Sequence, residues 1–249
     1  IGSFLGFATV RRLGPKMPFV AGLWLTAATV LATAFVRDFA VISAIRLISG
    51  VFAAYVFITG GVLAASIFPR DARRAASAIA IYFAGGGLGL LISAITLPLL
   101  LHARGDAAWP EAWLLLGVMS LVMSLFATLA ARPVIAPPAT RAATPWAKGP
   151  LWPLFVGYGC FALGYFAYMT FIVAWMREQG FGGGEIATVW AALGLSTMLS
   201  LRIWAWPMAV WPAGRPFAAV MATVGIGAAM PLMGGGLPAA IWRTIMQPA

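Results

Sequence analysis

Five stretches of this chain, each at least 20 residues long, contain no charged side chain. About 20 apolar residues in a helix are enough to cross the roughly 30 Å hydrocarbon layer of a membrane. Every backbone N–H and C=O in that layer must be hydrogen-bonded within its own segment, so each stretch is predicted to be a transmembrane helix. The stretches are residues 17–36, 47–69, 75–101, 112–131 and 149–176.

The composition excludes a water-soluble globule. Hydrophobic residues make up 62% of the chain and charged residues only 9%, whereas a soluble domain carries about 25% charged residues. The formal net charge is +10, which in a soluble chain would suggest nucleic-acid binding. Here the charges lie in loops, and the chain has no basic face interleaved with aromatic residues. We therefore predict contact with the lipid bilayer and its anionic headgroups, and no nucleic-acid partner.

The side chains that carry catalytic or metal chemistry are scarce. Cys160 is the single cysteine and His102 the single histidine, so neither a disulfide framework nor a Cys/His metal cluster can form. No two carboxylates stand in register for acid–base catalysis. We predict that the chain is not an enzyme and has no catalytic residue, no metal and no cofactor.

Loops on the two sides of the predicted membrane differ in positive charge. Ten Lys and Arg residues fall on one side and three on the other. Because positive residues accumulate in cytoplasmic loops, loops 11–16, 70–74 and 132–150 are predicted to be cytoplasmic. The richer side holds Arg11, Arg12, Lys16, Arg70, Arg73, Arg74, Arg132, Arg141, Lys148 and Arg215, and the other side holds Arg37, Arg104 and Arg177.

Two predicted spans contain arginine at membrane depth. The span at 39–68, which includes most of the stretch at 47–69, contains Arg46, and a sixth span at 186–211 is interrupted by Arg202 and Pro207. A charged residue inside a span is costly and is more often functional than a charged residue in a loop.

A proline-rich segment at 132–150 divides the chain. It holds five prolines, a density that opposes a continuous helix. We predict an N-terminal helix bundle at 1–131, a cytoplasmic linker at 132–150 and a partial C-terminal bundle at 151–249. The chain begins and ends within apolar runs, so we expect a fragment that is truncated at both ends.

The helical layout and the first cytoplasmic loop resemble the major facilitator superfamily, an all-α integral membrane fold of two six-helix bundles. In that family the loop after the second helix reads roughly G-x-x-x-D-R-x-G-R-R. Arg12, Gly14 and Lys16 fit this motif, whereas Arg11 occupies the aspartate position and Phe7 the first glycine position. The resemblance implies that the chain covers helices two to about ten, and that the three matching residues serve conformational change.

These motif residues also have a physical interpretation that does not depend on the family. Gly14 permits a tight turn with positive φ. The basic side chains on the cytoplasmic side can reach the C-terminal ends of helices, where backbone carbonyls carry partial negative charge. A generic basic turn that only sets topology is the alternative.

Residues 46–50, RLISG, resemble the family's R-x-x-x-G pattern in its fourth helix. An arginine within an apolar helix costs at least ~2.5 kcal/mol on insertion scales, so Arg46 should face the bundle interior or water. At 100° per residue one face follows it, comprising Gly50, Ala53, Phe57, Gly60 and Ala64. We interpret this face as a cavity wall with a cationic anchor, which binds an anion or a solute carboxylate or modulates a proton carrier. The alternative is close helix packing, with the arginine snorkelling to the membrane interface.

An aromatic stripe marks the segment that matches the family's seventh helix. Its members recur at three- and four-residue steps: Tyr158, Phe161, Tyr165, Tyr168 and Phe171. In the family this helix lines the central cavity, which makes Tyr158 and Tyr165 candidates for solute binding, with their hydroxyls as polar handles. Ordinary packing is the alternative, since aromatic residues at helical spacing also form cores.

The passage at 68–89 is similar to the YbfB-type branch of the superfamily. The resemblance implies secondary active transport of a small solute by alternating access, in the bacterial inner membrane. A coupling proton needs a buried titratable group, and none of the six acidic residues lies deep in a span, so uniport or another driving ion stays open. Two alternatives remain: an inactive transporter remnant, truncated or frame-shifted, and a membrane sensor that does not transport.

Overall fold

The described part of the chain consists of α-helices joined by short turns and loops. The computed structural model describes residues 9–10, 12–136, 152–211 and 214–229. Seven α-helices are defined in these residues, with no strand among them. They are α1 (Lys16–Thr33), α2 (Phe39–Ser66), α3 (Ala72–Arg104), α4 (Trp109–Ala131), α5 (Trp152–Glu178), α6 (Gly183–Val210) and α7 (Arg215–Ala229).

Six helical segments in the described part of the chain are long and apolar enough to cross a membrane. They coincide with α1 to α6, the α4 segment including a short 3₁₀ turn at Asp106–Ala108. The predicted all-α membrane fold is confirmed. Helix α7 is apolar but shorter, with 15 residues.

Two aspartates fix the starts of helices in the first half of the chain. The Asp38 carboxylate accepts the Val41 N–H at 2.9 Å at the start of α2, and the Asp71 carboxylate accepts the Arg74 N–H at 3.0 Å at the start of α3. Such caps satisfy backbone donors that have no partner within the helix. The loop at 70–74 is therefore shorter than its predicted bounds, because α3 begins at Ala72.

The predicted interruption of the span at 186–211 was wrong. Helix α6 continues through both Arg202 and Pro207 and ends at Val210. Arg202 is exposed, so its charge does not have to be buried in the helix packing. Pro207 lies in the last turn, where its missing N–H removes one hydrogen bond without breaking a long helix.

Glycines allow α1 to approach its two neighbours closely. A Cβ atom on Gly22 would lie 3.0 Å from Val56 Cγ2 in α2, and one on Gly117 in α4 would lie 2.7 Å from the Leu31 Cα. Small residues at such crossings let helix backbones approach in a membrane, where packing rather than hydrophobicity drives association. A core cluster of Phe19, Leu63 and Ala131 brings α1, α2 and α4 together at one end.

The described residues belong to two compact units. The first contains α1 to α4 together with Leu193–Thr197, and the second contains α5, the remainder of α6 and α7. In the second unit Phe217 of α7 packs near Gly157 of α5, with 3.8 Å between the ring edge and a Cβ built on the glycine. Most of the predicted linker, residues 137–150, and both chain ends, 1–8 and 230–249, lie outside the described residues.

Candidate functional site

Arg46 lies in the first unit among three helices. Its Nη2 donates to the Thr29 carbonyl oxygen at 2.9 Å and to Thr33 Oγ1 at 2.7 Å, both in α1. Its guanidinium carbon lies 4.6 Å from the ring centroid of Trp113 in α4. The arginine of α2 thus contacts both α1 and α4.

The partners of Arg46 are electrically neutral. Among the described residues the ion pairs are Arg74–Asp71 and Arg104–Glu111, both at exposed positions. Arg46 Nε is buried and has no hydrogen-bond partner within the described structure. Its charge at membrane depth is offset by hydroxyl, carbonyl and ring contacts, without a carboxylate.

The position of Arg46 within an apolar span predicts its importance, but the sequence pattern does not predict its partners. Thr33 Oγ1 itself donates to the Thr29 carbonyl at 2.9 Å, so the two threonines form a small polar patch on α1. The signal in the sequence is threonine at a four-residue step, opposite a tryptophan in another span. That signal is weak, since nothing in it shows that α1 and α4 both lie beside Arg46.

The predicted face of α2 divides into two parts. Nothing lies within 4 Å of the position that a Cβ on Gly50 would occupy, and Phe57 is 58% exposed. By contrast, Gly60 and Ala64 are buried. Packing is thus observed at Gly60 and Ala64, whereas the role of Gly50 and Phe57 as a cavity wall stays a prediction.

Tyr82 of α3 fills the packed part of this face. Its hydroxyl donates to the Val56 carbonyl at 2.8 Å, and its Cε2 would lie 2.6 Å from a Cβ on Gly60. Beside it, the rings of Phe57 and Phe83 lie 4.8 Å apart. The contact of α2 with α3 therefore depends on glycine at position 60.

The aromatic stripe on α5 has ring contacts between its members from Tyr158 to Tyr165. The ring centroids of Tyr158 and Phe161 lie 6.0 Å apart, and those of Phe161 and Tyr165 lie 5.7 Å apart in a stacked pair. Tyr158 is 53% exposed and Tyr165 is 38% exposed. Both tyrosines are therefore uncovered within the second unit, and their role in solute binding stays a prediction.

The three motif residues of the first loop occupy different environments. Gly14 has φ of 73° and is buried, and its N–H donates to the Val10 carbonyl at 2.9 Å. The Lys16 ammonium donates to the Arg132 carbonyl at 2.5 Å and to the Val134 carbonyl at 3.2 Å. Arg12 is exposed. Arg11 and Phe7, where the motif departs from the family pattern, lie outside the described residues.

Gly14→Ala is expected to lower the free energy of unfolding by about 1–2 kcal/mol, because a Cβ is strained in the left-handed region. Gly14→Asn should cost clearly less, since asparagine tolerates that conformation. Denaturation of the purified protein in detergent, followed by circular dichroism, measures both. Equal stability of glycine and alanine variants would contradict the role of this turn.

Contacts at opposite ends of the first unit agree with the predicted alternation of loops. Lys16 at the start of α1 meets the end of α4. At the other end the Arg37 guanidinium carbon, just after α1, lies 4.8 Å from the Trp109 ring centroid at the start of α4. The two helices therefore run antiparallel, with residues 12–16 and 132–136 at the same end of the first unit.

The chain is similar to one known protein family over nearly its whole length. Residues 1–247 match the family described as uncharacterised MFS-type transporter YbfB. No curated protein and no solved structure matches the chain. The match covers nearly the whole sequence, including α1 to α7. The chain therefore belongs to the YbfB-type family of the major facilitator superfamily transporters.

Proposed function

We propose that the protein moves a small solute across the membrane by secondary active transport with alternating access. The position of Arg46 is the main support for this proposal. Among the described residues its guanidinium contacts neutral partners only, and Gly50 and Phe57 are exposed on the same predicted face of α2. A cation in a span without a carboxylate partner is costly, and an anionic group on the solute would offset that cost.

Candidate residues for contact with a solute occur in each unit, and each set is proposed by itself. In the first unit Arg46 is the anchor for an anion or carboxylate, and Gly50 and Phe57 leave room along the same helix face. In the second unit Tyr158 and Tyr165 offer aromatic surface with hydroxyl groups at the ring edge. Tyrosine combines apolar contact with one directed hydrogen bond, which suits a solute that is partly apolar.

The proposed setting is the bacterial inner membrane, with loops 11–16, 70–74 and 132–150 in the cytoplasm. The excess of positive charge on those loops supports this orientation. Cysteine replacements in the full-length protein lacking Cys160 test it, using a thiol reagent that does not cross membranes. We expect the reagent to react from outside the cell with a cysteine at position 38 and not with one at position 12. Reaction at position 12 would contradict the orientation.

A solute screen on the purified full-length protein tests the proposed transport. A ligand present at a hundred times its dissociation constant stabilises the protein by about 2.7 kcal/mol, which a thermal-shift assay detects. Stabilising solutes then enter an uptake assay in proteoliposomes with imposed proton or sodium gradients. Uptake that follows a proton gradient would show a coupling proton, and uptake with neither gradient would indicate uniport.

The same screen separates the alternatives. Binding without uptake in sealed vesicles would favour a membrane sensor. A correctly folded protein that neither binds nor transports any solute of the anionic and aromatic classes would overturn the proposal and favour an inactive remnant.

Tyr158→Phe and Tyr165→Phe are each expected to raise the KM for uptake about three- to tenfold, the effect of losing one neutral hydrogen bond. The maximal rate should change little, because the ring is retained. Tyr55→Phe, a tyrosine in α2 outside the proposed site, is the matched control. An unchanged KM in both site variants would assign the stripe to packing.

A further inference from the structure

The first five residues of the predicted linker are attached to the first unit. Residues 132–136 follow the end of α4, and their segment alternates in burial: Val134 and Ala136 are half-buried and Ile135 is 88% exposed. Val134 and Ala136 pack against the cluster of Phe19, Leu63 and Ala131. We call residues 132–136 the linker start.

Lys16 holds the linker start in place by hydrogen bonds. Its ammonium donates to the Arg132 carbonyl at 2.5 Å and to the Val134 carbonyl at 3.2 Å. Arg132 is the C-cap of α4 and Val134 lies two residues beyond it, and the negative end of the helix dipole favours a cation in this region. The partners are backbone atoms, so the contact does not depend on the side chains of the linker start.

The sequence around Lys16 places its side chain for this contact. Gly14 turns the chain with positive φ directly before α1, and Lys16 is the first residue of that helix. Three residues later Phe19 enters the core cluster on which Val134 and Ala136 rest. One turn of α1 therefore supplies both the hydrogen bonds and the apolar surface.

We propose that Lys16 is a latch. Its two hydrogen bonds hold the linker start on the first unit, and the loss of these bonds releases it. Lys16 is a positioning residue in this proposal, and the proposal does not depend on the identity of a solute.

A nitroxide at position 135 tests the latch in the full-length protein. Ile135→Cys in a Cys160→Ser background places the label on the exposed side of the linker start, and electron paramagnetic resonance in liposomes reports its mobility. Lys16→Met should raise the ratio of mobile to immobile label about tenfold, the effect of losing hydrogen bonds to a charged donor. Lys16→Arg should restore the immobile spectrum, because a guanidinium also donates to carbonyls.

The matched control is Arg12→Met, which removes one positive charge from the same loop at an exposed position and should leave the spectrum unchanged. A second label at Phe35→Cys, at the other end of α1 and 73% exposed in the parent, reports whether the bundle remains folded. An unchanged spectrum at position 135 in Lys16→Met, with a parent-like spectrum at position 35, would overturn the latch.

A measurement that leaves Lys16 in place covers the case in which Lys16→Met fails to fold. Single cysteines at 134 and 135 in the Cys160→Ser protein are treated with a small thiol reagent. Docking predicts slow reaction at 134 and reaction at 135 at least about ten times faster, since the first side chain packs on the core and the second does not. Equal, fast reaction at both positions would show that the linker start is not docked.

Discussion

Gly117→Val is expected to unfold the first unit or to prevent its assembly. A Cβ at this position of α4 would lie 2.7 Å from the Leu31 Cα and 2.9 Å from the Leu31 Cβ, so the steric conflict is with backbone that cannot rotate away. Overpacking of this kind costs about 1–3 kcal/mol and more where the backbone must move. Thermal denaturation in detergent, with size-exclusion chromatography, measures the loss.

Gly117→Ala provides a graded version of the same test. Replacing a helical glycine with alanine normally stabilises by about 0.5–1 kcal/mol, so a loss at position 117 must come from the contact with Leu31. Gly86→Ala in α3 is the matched control, because nothing lies within 4 Å of its Cβ position. We expect a loss at position 117 and no loss at position 86. Equal effects at the two sites would refute the close crossing of α1 and α4.

Arg46→Met is expected to lower uptake strongly while leaving stability nearly unchanged. The opposing contributions to stability are similar in size. Hydrogen bonds from a charged donor contribute about 1.5–3 kcal/mol and a desolvated cation–π contact about 1–2 kcal/mol, while arginine at the centre of a span costs about 2.5–3.5 kcal/mol. Thr33 keeps its bond to the Thr29 carbonyl without the arginine. We expect a net change within about 1 kcal/mol and a fall in uptake of about 30-fold or more, from loss of the charged hydrogen bond to the solute.

Two further variants distinguish an Arg46 that binds the solute (an anchor) from an Arg46 that only holds helices together (a clamp). Arg46→Lys keeps the positive charge but replaces the planar guanidinium with a compact ammonium group. The ammonium group cannot contact Thr29, Thr33 and the Trp113 ring together. It should retain part of the uptake if the charge binds solute. Trp113→Leu removes the ring contact and keeps the charge. If Arg46→Met loses several kcal/mol of stability and its uptake falls only in proportion to the folded fraction, Arg46 is a clamp and not an anchor.

The helices could be predicted from the sequence because each of them depends mainly on residues within its own segment. The spans follow from uninterrupted apolar length, and α2 and α3 begin at aspartates whose carboxylates accept backbone donors three residues later. The positive φ at Gly14 also follows from local sequence, since glycine before a helix is suited to that turn. The error at α6 has a local cause too, because the position of Pro207 in the last turn decides whether it interrupts the helix.

The prediction of the candidate site was incomplete because its contacts join distant segments. Arg46 was identified by its charge within a span, but Trp113 contacts it from a helix that lies far along the chain. Helical periodicity placed Gly50 and Gly60 on one face. In the structure Tyr82 packs on Gly60, whereas nothing lies close to Gly50. The periodicity of α2 alone does not predict this difference.

The sequence by itself determined that this is a helical membrane protein, how many long spans its described part has, and which loops carry positive charge. These follow from the cost of unpaired backbone groups in hydrocarbon and from charge at the membrane surface, which act on each segment separately. Only the tertiary structure decided the neutral surroundings of Arg46, the division of the α2 face and the attachment of residues 132–136 to Lys16. Each of these depends on how closely particular helices approach, and that distance is set by pairs of residues, such as Gly117 and Leu31, that meet only in the folded bundle.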